Sequence, residues 1–70
     1  MDLSTAMVGK EYLISSIDTN DVELNAFLFS LGCYIGQPIT VISRLRSSCV
    51  VAIKEGRYNI DINLAKAIKI

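Results

Sequence analysis

The sequence predicts a mainly β fold, a small and strongly bent antiparallel barrel of about five strands with one inserted α-helix. Three observations carry this reading. Apolar residues alternate with period two in three stretches of the second half, 38–42, 49–53 and 58–62. A single helix-like stretch, VELNAFLFSL, lies between a capping signal and Gly32. Finally, the 70 residues suffice for one domain only, residues 1–70, and a chain of that length buries about 60% of its unfolded surface.

The elements follow in order. KEYLISSI, residues 10–17, is rich in strand formers and places Tyr12 and Ile14 on one face, Leu13 and Ser15 on the other, so it reads as a first strand after Gly9. Asn20 followed three residues later by Glu23 suggests a capping box, with Asn20 as N-cap and Asp21 in the first turn, where the helix dipole favours negative charge. The helix then runs to Gly32, the residue type that takes the left-handed position after a helix most cheaply. Pro38 opens the second strand, where a missing N–H matters least, with Ile39 and Val41 facing the core. SRLRSS interrupts the alternation. SCVVAIK resumes it with Cys49, Val51 and Ile53 inward, Glu55-Gly56 turns the chain, and RYNIDI returns as a hairpin arm with Tyr58, Ile60 and Ile62 on one side. NLAKAI is long enough for one helical turn, and the terminal IKI forms a last short strand. Together these give a core of Tyr12, Ile14, Leu28, Leu31, Ile39, Val41, Val51, Ile53 and Ile60. Truncation of Leu31 to Ala is expected to cost about 2–5 kcal/mol.

Composition narrows the function classes. The chain is 51% apolar, with mean hydropathy +0.43, yet its longest apolar runs, AFLF and CVVAI, fall far short of the ~20 residues of a membrane span. No basic stretch precedes an apolar one at the N-terminus, so the chain reads as cytoplasmic. There is no histidine. Cys33 and Cys49 stand sixteen positions apart without a C-x-x-C pair, which argues for two small buried hydrophobes and against a zinc or redox site. The acidic group Asp18, Asp21 and Glu23 lacks calcium-loop spacing and is accounted for by helix capping. With no G-x-S-x-G and no phosphate-binding glycine loop, no catalytic, cofactor or metal site is expected, and the chain reads as a non-enzyme.

Charge is uneven. Residues 1–35 hold one base and five acids, net −4, whereas 36–70 hold six bases and two acids, net +4. The second half thus raises a rival reading, a nucleic-acid-binding small barrel in which Arg44, Arg46, Lys54 and Arg57 flank one hairpin end and Tyr58 offers a stacking face. Zero net charge and the lack of an aromatic pair of the RNA-binding type weigh against it.

Helical geometry divides α-helical residues 22–31 into two apolar sides. At 100° per residue, Leu24, Phe27, Leu28 and Leu31 cluster in one direction, Val22, Ala26 and Phe29 in the opposite one. One small barrel covers one side only. The leucine side is expected to face it, leaving Val22, Ala26 and Phe29, with Cys33 beyond them, as an outward stripe for a protein partner, either a second copy or another protein, unless the N-terminal MDLSTAM segment covers it.

The spacing of structural residues also resembles a known family. Leu3, Ser4, Gly9 and Ile14 fit an opening L-S-x(4)-G-x(4)-I; Leu28, Leu31, Gly32, Gly36, Ile39 and Val41 fit L-x-x-L-G-x(3)-G-x-x-I-x-V; Ala65 and Ile68 fit a closing A-x-x-I. In this the chain resembles the FeoA family of ferrous iron transport accessory proteins along its whole length. The resemblance implies an SH3-like barrel and a cytoplasmic accessory role, exerted through contact with a membrane Fe²⁺ permease GTPase of the FeoB type. An alternative within the same resemblance is a detached copy of the SH3-like module of DtxR-type metal-dependent regulators. Family members often carry proline where this chain has Val8 and Ile35.

Overall fold

The computed structural model describes residues 1–70. Nearly continuous backbone pairing organises them into six strands and two α-helices. β1 (Glu11–Leu13), β3 (Pro38–Arg44), β4 (Ser48–Ile53) and β5 (Gly56–Asp61) form an antiparallel sheet in the order β1-β3-β4-β5, and β2 (Ser16–Ile17) pairs with β6 (Ile68–Lys69) in a second sheet. α1 (Val22–Leu31) is inserted between β2 and β3, and α2 (Ile62–Ala67) joins β5 to β6. This is the bent antiparallel barrel expected from the sequence, with its strands divided between two sheets.

Six strands appear in place of five because the first predicted strand breaks in the middle. Ile14 donates its N–H to Gln37 and accepts from Gly36, still bound to the β3 side, whereas Ser15 donates to Lys69 on the β6 side. The chain thus changes sheets between Ile14 and Ser15. Alternation survives the corner, with Ile14 buried and Leu13 exposed, which is why the sequence shows no sign of it. The Arg57–Asp61 arm also ends earlier than predicted. Asp61 caps α2, accepting from the Asn63 N–H at 2.8 Å, and Ile62 is therefore helical.

Thirteen apolar residues form one core: Leu3, Ala6, Ile14, Leu28, Cys33, Ile39, Val41, Cys49, Val51, Ile53, Ile60, Ala65 and Ile68. The strand alternation read from 38–42 and 49–53 is reproduced, apart from a bulge between Val41 and Ser43. Two expected core residues are corrected: Tyr12 is partly buried against the core, and Leu31 is partly buried but outside the core cluster. The N-terminus contributes what was missed. Leu3–Thr5 forms a 3-10 turn capped by Asp2, whose carboxylate accepts from the Ser4 N–H at 2.9 Å and from the Ser4 hydroxyl, and these bonds hold the Asp2 pKa below its usual value. Leu3 and Ala6 are thereby buried, and the turn packs on α2.

Two tight turns have the same construction. Lys10 donates to the Met7 carbonyl and Gln37 to the Tyr34 carbonyl, at 3.2 and 3.0 Å, with Gly9 and Gly36 third in their turns at φ 87° and 88°. These are type II turns, in which proline suits the second position, here Val8 and Ile35. Both side chains are exposed. Val8→Pro with Ile35→Pro should therefore stabilise the fold by about 1–2 kcal/mol through the unfolded state, raising Tm by roughly 5–10 °C. A lower Tm in a thermal scan would show that Met7 or Tyr34 does not hold the extended conformation that must precede proline.

Candidate docking face

The helix is capped at both ends by identifiable contacts. Its N-cap is Asp21, not Asn20: the Asp21 carboxylate accepts from the Glu23 and Leu24 N–H groups at 2.9 and 3.1 Å, while Asn20 adopts φ 55° just outside the helix. Asn and Asp serve equally well as caps, so their order in DTND was not decisive in the sequence. At the other end Gly32, at φ 99°, donates to Phe29, and Cys33 donates to Leu28. This is a Schellman motif, and its usual apolar contact between the residues bridged is made by Leu28 and Cys33, both buried. A Cβ on Gly32 would also lie 3.1 Å from Ile53 Cγ2, so this position needs glycine for space as well as conformation.

Docking of α1 onto the barrel is correspondingly narrow. Leu28 is its one buried side chain. Val22 is 84% exposed and Phe29 66%, and Ala26 lies open beside them. Of the predicted stripe Cys33 alone is not presented outward: it is 1% exposed, drawn into the core by the Schellman turn. The N-terminal segment, engaged with α2 and β6, leaves the stripe uncovered. The leucine side is also more open than expected, with Leu24 and Phe27 both exposed. An isolated ten-residue helix is marginal in water, so one leucine and one C-terminal turn hold an element that shows apolar surface on both sides.

Phe29 extends this surface onto the barrel. Its ring stands 5.5 Å from that of Tyr34, tilted by 43°, and the Lys54 Nζ lies 4.9 Å from the Tyr34 ring centre. Phe29 and Tyr34 form the wall between two open hollows. One, of about 710 Å³, lies between the end of α1 and the β4–β5 turn, with Leu31, Ile53 and Tyr58 on its floor and sides. The other, of about 470 Å³, includes Ile17, Asn25 and Ile35. Tyr58 folds over Gly56, where a Cβ would fall 2.6 Å from its Cζ. The turn residues are Lys54 and Glu55 rather than Glu55 and Gly56, and Lys54 carries the left-handed φ of 54°. Tyr34 and Ile35 were not singled out as contact residues by the sequence, and Lys54 only within the nucleic-acid reading; the one available signal was an aromatic residue two places after a helix-stopping glycine.

The remaining sequence candidates do not converge. Arg44 donates to the Ala6 carbonyl, and Arg46 sits in the β3–β4 turn, at the opposite end of β4 from Lys54 and Arg57. The four bases therefore do not flank one hairpin end, which removes the basic face of the nucleic-acid reading. No three His, Cys, Asp or Glu side chains come together as a metal-binding group. No helix is long and apolar enough to cross a membrane.

Cys33 and Cys49 are free thiols, both buried, and burial pushes the Cys33 thiol up to about 11. The unfolded value is about 8.5. Any stability linked to this group is whole below that value and is lost as pH rises towards 11, because the unfolded chain releases the proton first. Native protein at pH 8 should therefore react with an aromatic disulfide reagent far more slowly than a free thiol, and both thiols should titrate at once in denaturant. Fast labelling of Cys33 in the native protein would show that the end of α1 opens freely.

An antiparallel barrel with one inserted helix, bearing exposed apolar side chains on that helix and no converging reactive groups, defines a small SH3-like module. The FeoA domain family matches residues 1–70, and the chain belongs to that family. Solved structures agree in fold. A manganese-dependent transcriptional repressor superposes with TM-score 0.88 at 20% identity, over 97% of this chain and 39% of that one, so this chain spans well under half of the repressor's length. An iron uptake regulatory protein, FeoA, gives TM-score 0.87 at 20% identity, over 97% of this chain and 91% of that one. The zinc complex of FeoA from Stenotrophomonas maltophilia, described as a prokaryotic SH3 domain protein, gives 0.84 at 18% identity, over 97% and 86%. No curated protein matches the chain.

Proposed function

We propose that this protein is a cytoplasmic, non-enzymatic accessory factor of ferrous iron uptake that acts by docking onto a membrane Fe²⁺ permease GTPase of the FeoB type. The observation that carries the reading is the uncovered helix side of Val22, Ala26 and Phe29 in a chain whose family match runs from residue 1 to 70. Iron is the partner's cargo in this account. The chain itself supplies shape and apolar contact, with Phe29 as the anchor and Tyr34 and Lys54 as the flank. A tagged form of the chain should co-purify with the permease of the same cell from detergent extracts, and the Phe29→Ser form should not.

The repressor match supports a second reading, a module of a DtxR-type metal-dependent regulator. That support is the fold alone, which many functions share. Recovery of a regulator instead of a permease in the same co-purification would favour it.

A further inference from the structure

β5 is the last strand of the four-stranded sheet, and no strand pairs with its outer edge. Ile53 and Gly56 face each other across the two-residue turn, so they form a hydrogen-bonded pair, and strict alternation makes Tyr58 and Ile60 hydrogen-bonded partners of Val51 and Cys49. The N–H and C=O groups of Arg57 and Asn59, and the N–H of Asp61, consequently point away from β4, along the open edge, while the Asp61 carbonyl, as that of the N-cap, is engaged by the first turn of α2. The three side chains are exposed on one face.

This edge is complementary to itself. Reversed about Asn59, the pattern Arg-x-Asn-x-Asp puts Arg57 opposite Asp61 of a second copy, Asp61 opposite its Arg57, and Asn59 opposite Asn59. We propose that a second copy of this chain pairs antiparallel along β5, joining two four-stranded sheets into one continuous sheet about a two-fold axis at Asn59. The two Asn59 residues then exchange a pair of backbone bonds, each Asp61 N–H meets the Arg57 carbonyl of the other copy, the opposed charges support the pairing, and Tyr58 stands opposite Ile60 on the other face. Asp61 remains able to serve both roles: Oδ2 receives the Asn63 N–H, which leaves Oδ1 for the arginine. Edge charges often act as guards against pairing, but here they choose a register. Registers centred on Arg57 or on Asp61 oppose like charges and are repelled.

Six residues of edge make a small interface, below the ~1,200 Å² typical of stable complexes, so the dimer is weak, salt-sensitive and populated at high concentration. Sedimentation equilibrium on the whole chain at millimolar concentration and low salt tests it. Wild type should be partly dimeric, and Arg57→Glu and Asp61→Lys should each be monomeric alone. Their equimolar mixture should dimerise again, since each introduced charge then meets its opposite across the axis. Asn59→Pro, which removes an outward N–H and no bond to β4, should fold as wild type by circular dichroism yet stay monomeric. A monomeric wild type, a mixture that fails to associate although both variants are folded, or an Asn59→Pro form that dimerises like wild type would each overturn the proposal.

Discussion

Leu28→Ala should cost about 2–5 kcal/mol, against a total stability of about 3.5–10 kcal/mol for a domain of this size. Leu28 is fully buried in the single core and is the only residue of α1 that is. Its truncation leaves a void beneath the helix that the other nine residues of α1, eight of them exposed, cannot close, and its backbone carbonyl is the acceptor of the Cys33 bond that ends the helix. Urea unfolding followed by circular dichroism should show a midpoint shifted to a small fraction of the wild-type value, and Cys33 should become reactive under native conditions. Leu31→Ala is the comparison that decides the matter. The sequence ranks it as the costly substitution, whereas its partial exposure in the groove predicts a loss of about 1 kcal/mol or less. Equal losses at the two positions would mean that both leucines are seated in the core and that the helix is docked more deeply than the structure has it.

That comparison also shows where sequence patterning stops. Residues whose environment is set by their own strand were legible: Ile39 with Val41, and Cys49 with Val51 and Ile53, alternate because each strand has one wet face and one dry one. The C-terminal bound of α1 was legible because Gly32 is a local signal and the Schellman bonds are local too. The rest depended on partners distant in the chain. Nothing local to Ile14 and Ser15 announces that one bonds to Gln37 and the other to Lys69. Likewise, a helical wheel sorts Leu24, Phe27, Leu28 and Leu31 to one side, but only the barrel's small size restricts real burial to Leu28. Cys33 was assigned outward by extending the wheel past Gly32, where the helix has already ended and the chain has turned inward. The exposed apolar side of the helix was thus readable at Val22, Ala26 and Phe29, while the approach of Phe29 to Tyr34 and of Lys54 to the same ring required the tertiary fold.

Phe29→Ser should abolish partner capture while leaving the fold nearly unaltered. Phe29 is largely solvent-exposed and its one recorded aromatic contact is the tilted approach to Tyr34, a type of pair worth about 0.5–1.5 kcal/mol. Loss of that contact should lower Tm by no more than a few degrees. The loss at an interface is of another size: an aromatic anchor at the centre of a buried patch contributes about 2 kcal/mol or more, which is roughly a 30-fold weakening. The ratio of the two effects is the diagnostic quantity, because a residue that serves internal packing would lose stability in step with binding. Ala26→Glu supplies an independent version. Ala26 lies open on the same side of the helix as Val22 and Phe29, so a charge placed there is harmless in the free protein and becomes costly only when the face is covered. Both variants should fail to co-purify the permease from detergent extracts in which wild type succeeds, with circular dichroism spectra superimposable on wild type. Retention of the permease by both would remove the helix from the interface, and cooperative unfolding of Phe29→Ser at a much lower temperature would assign Phe29 to packing instead.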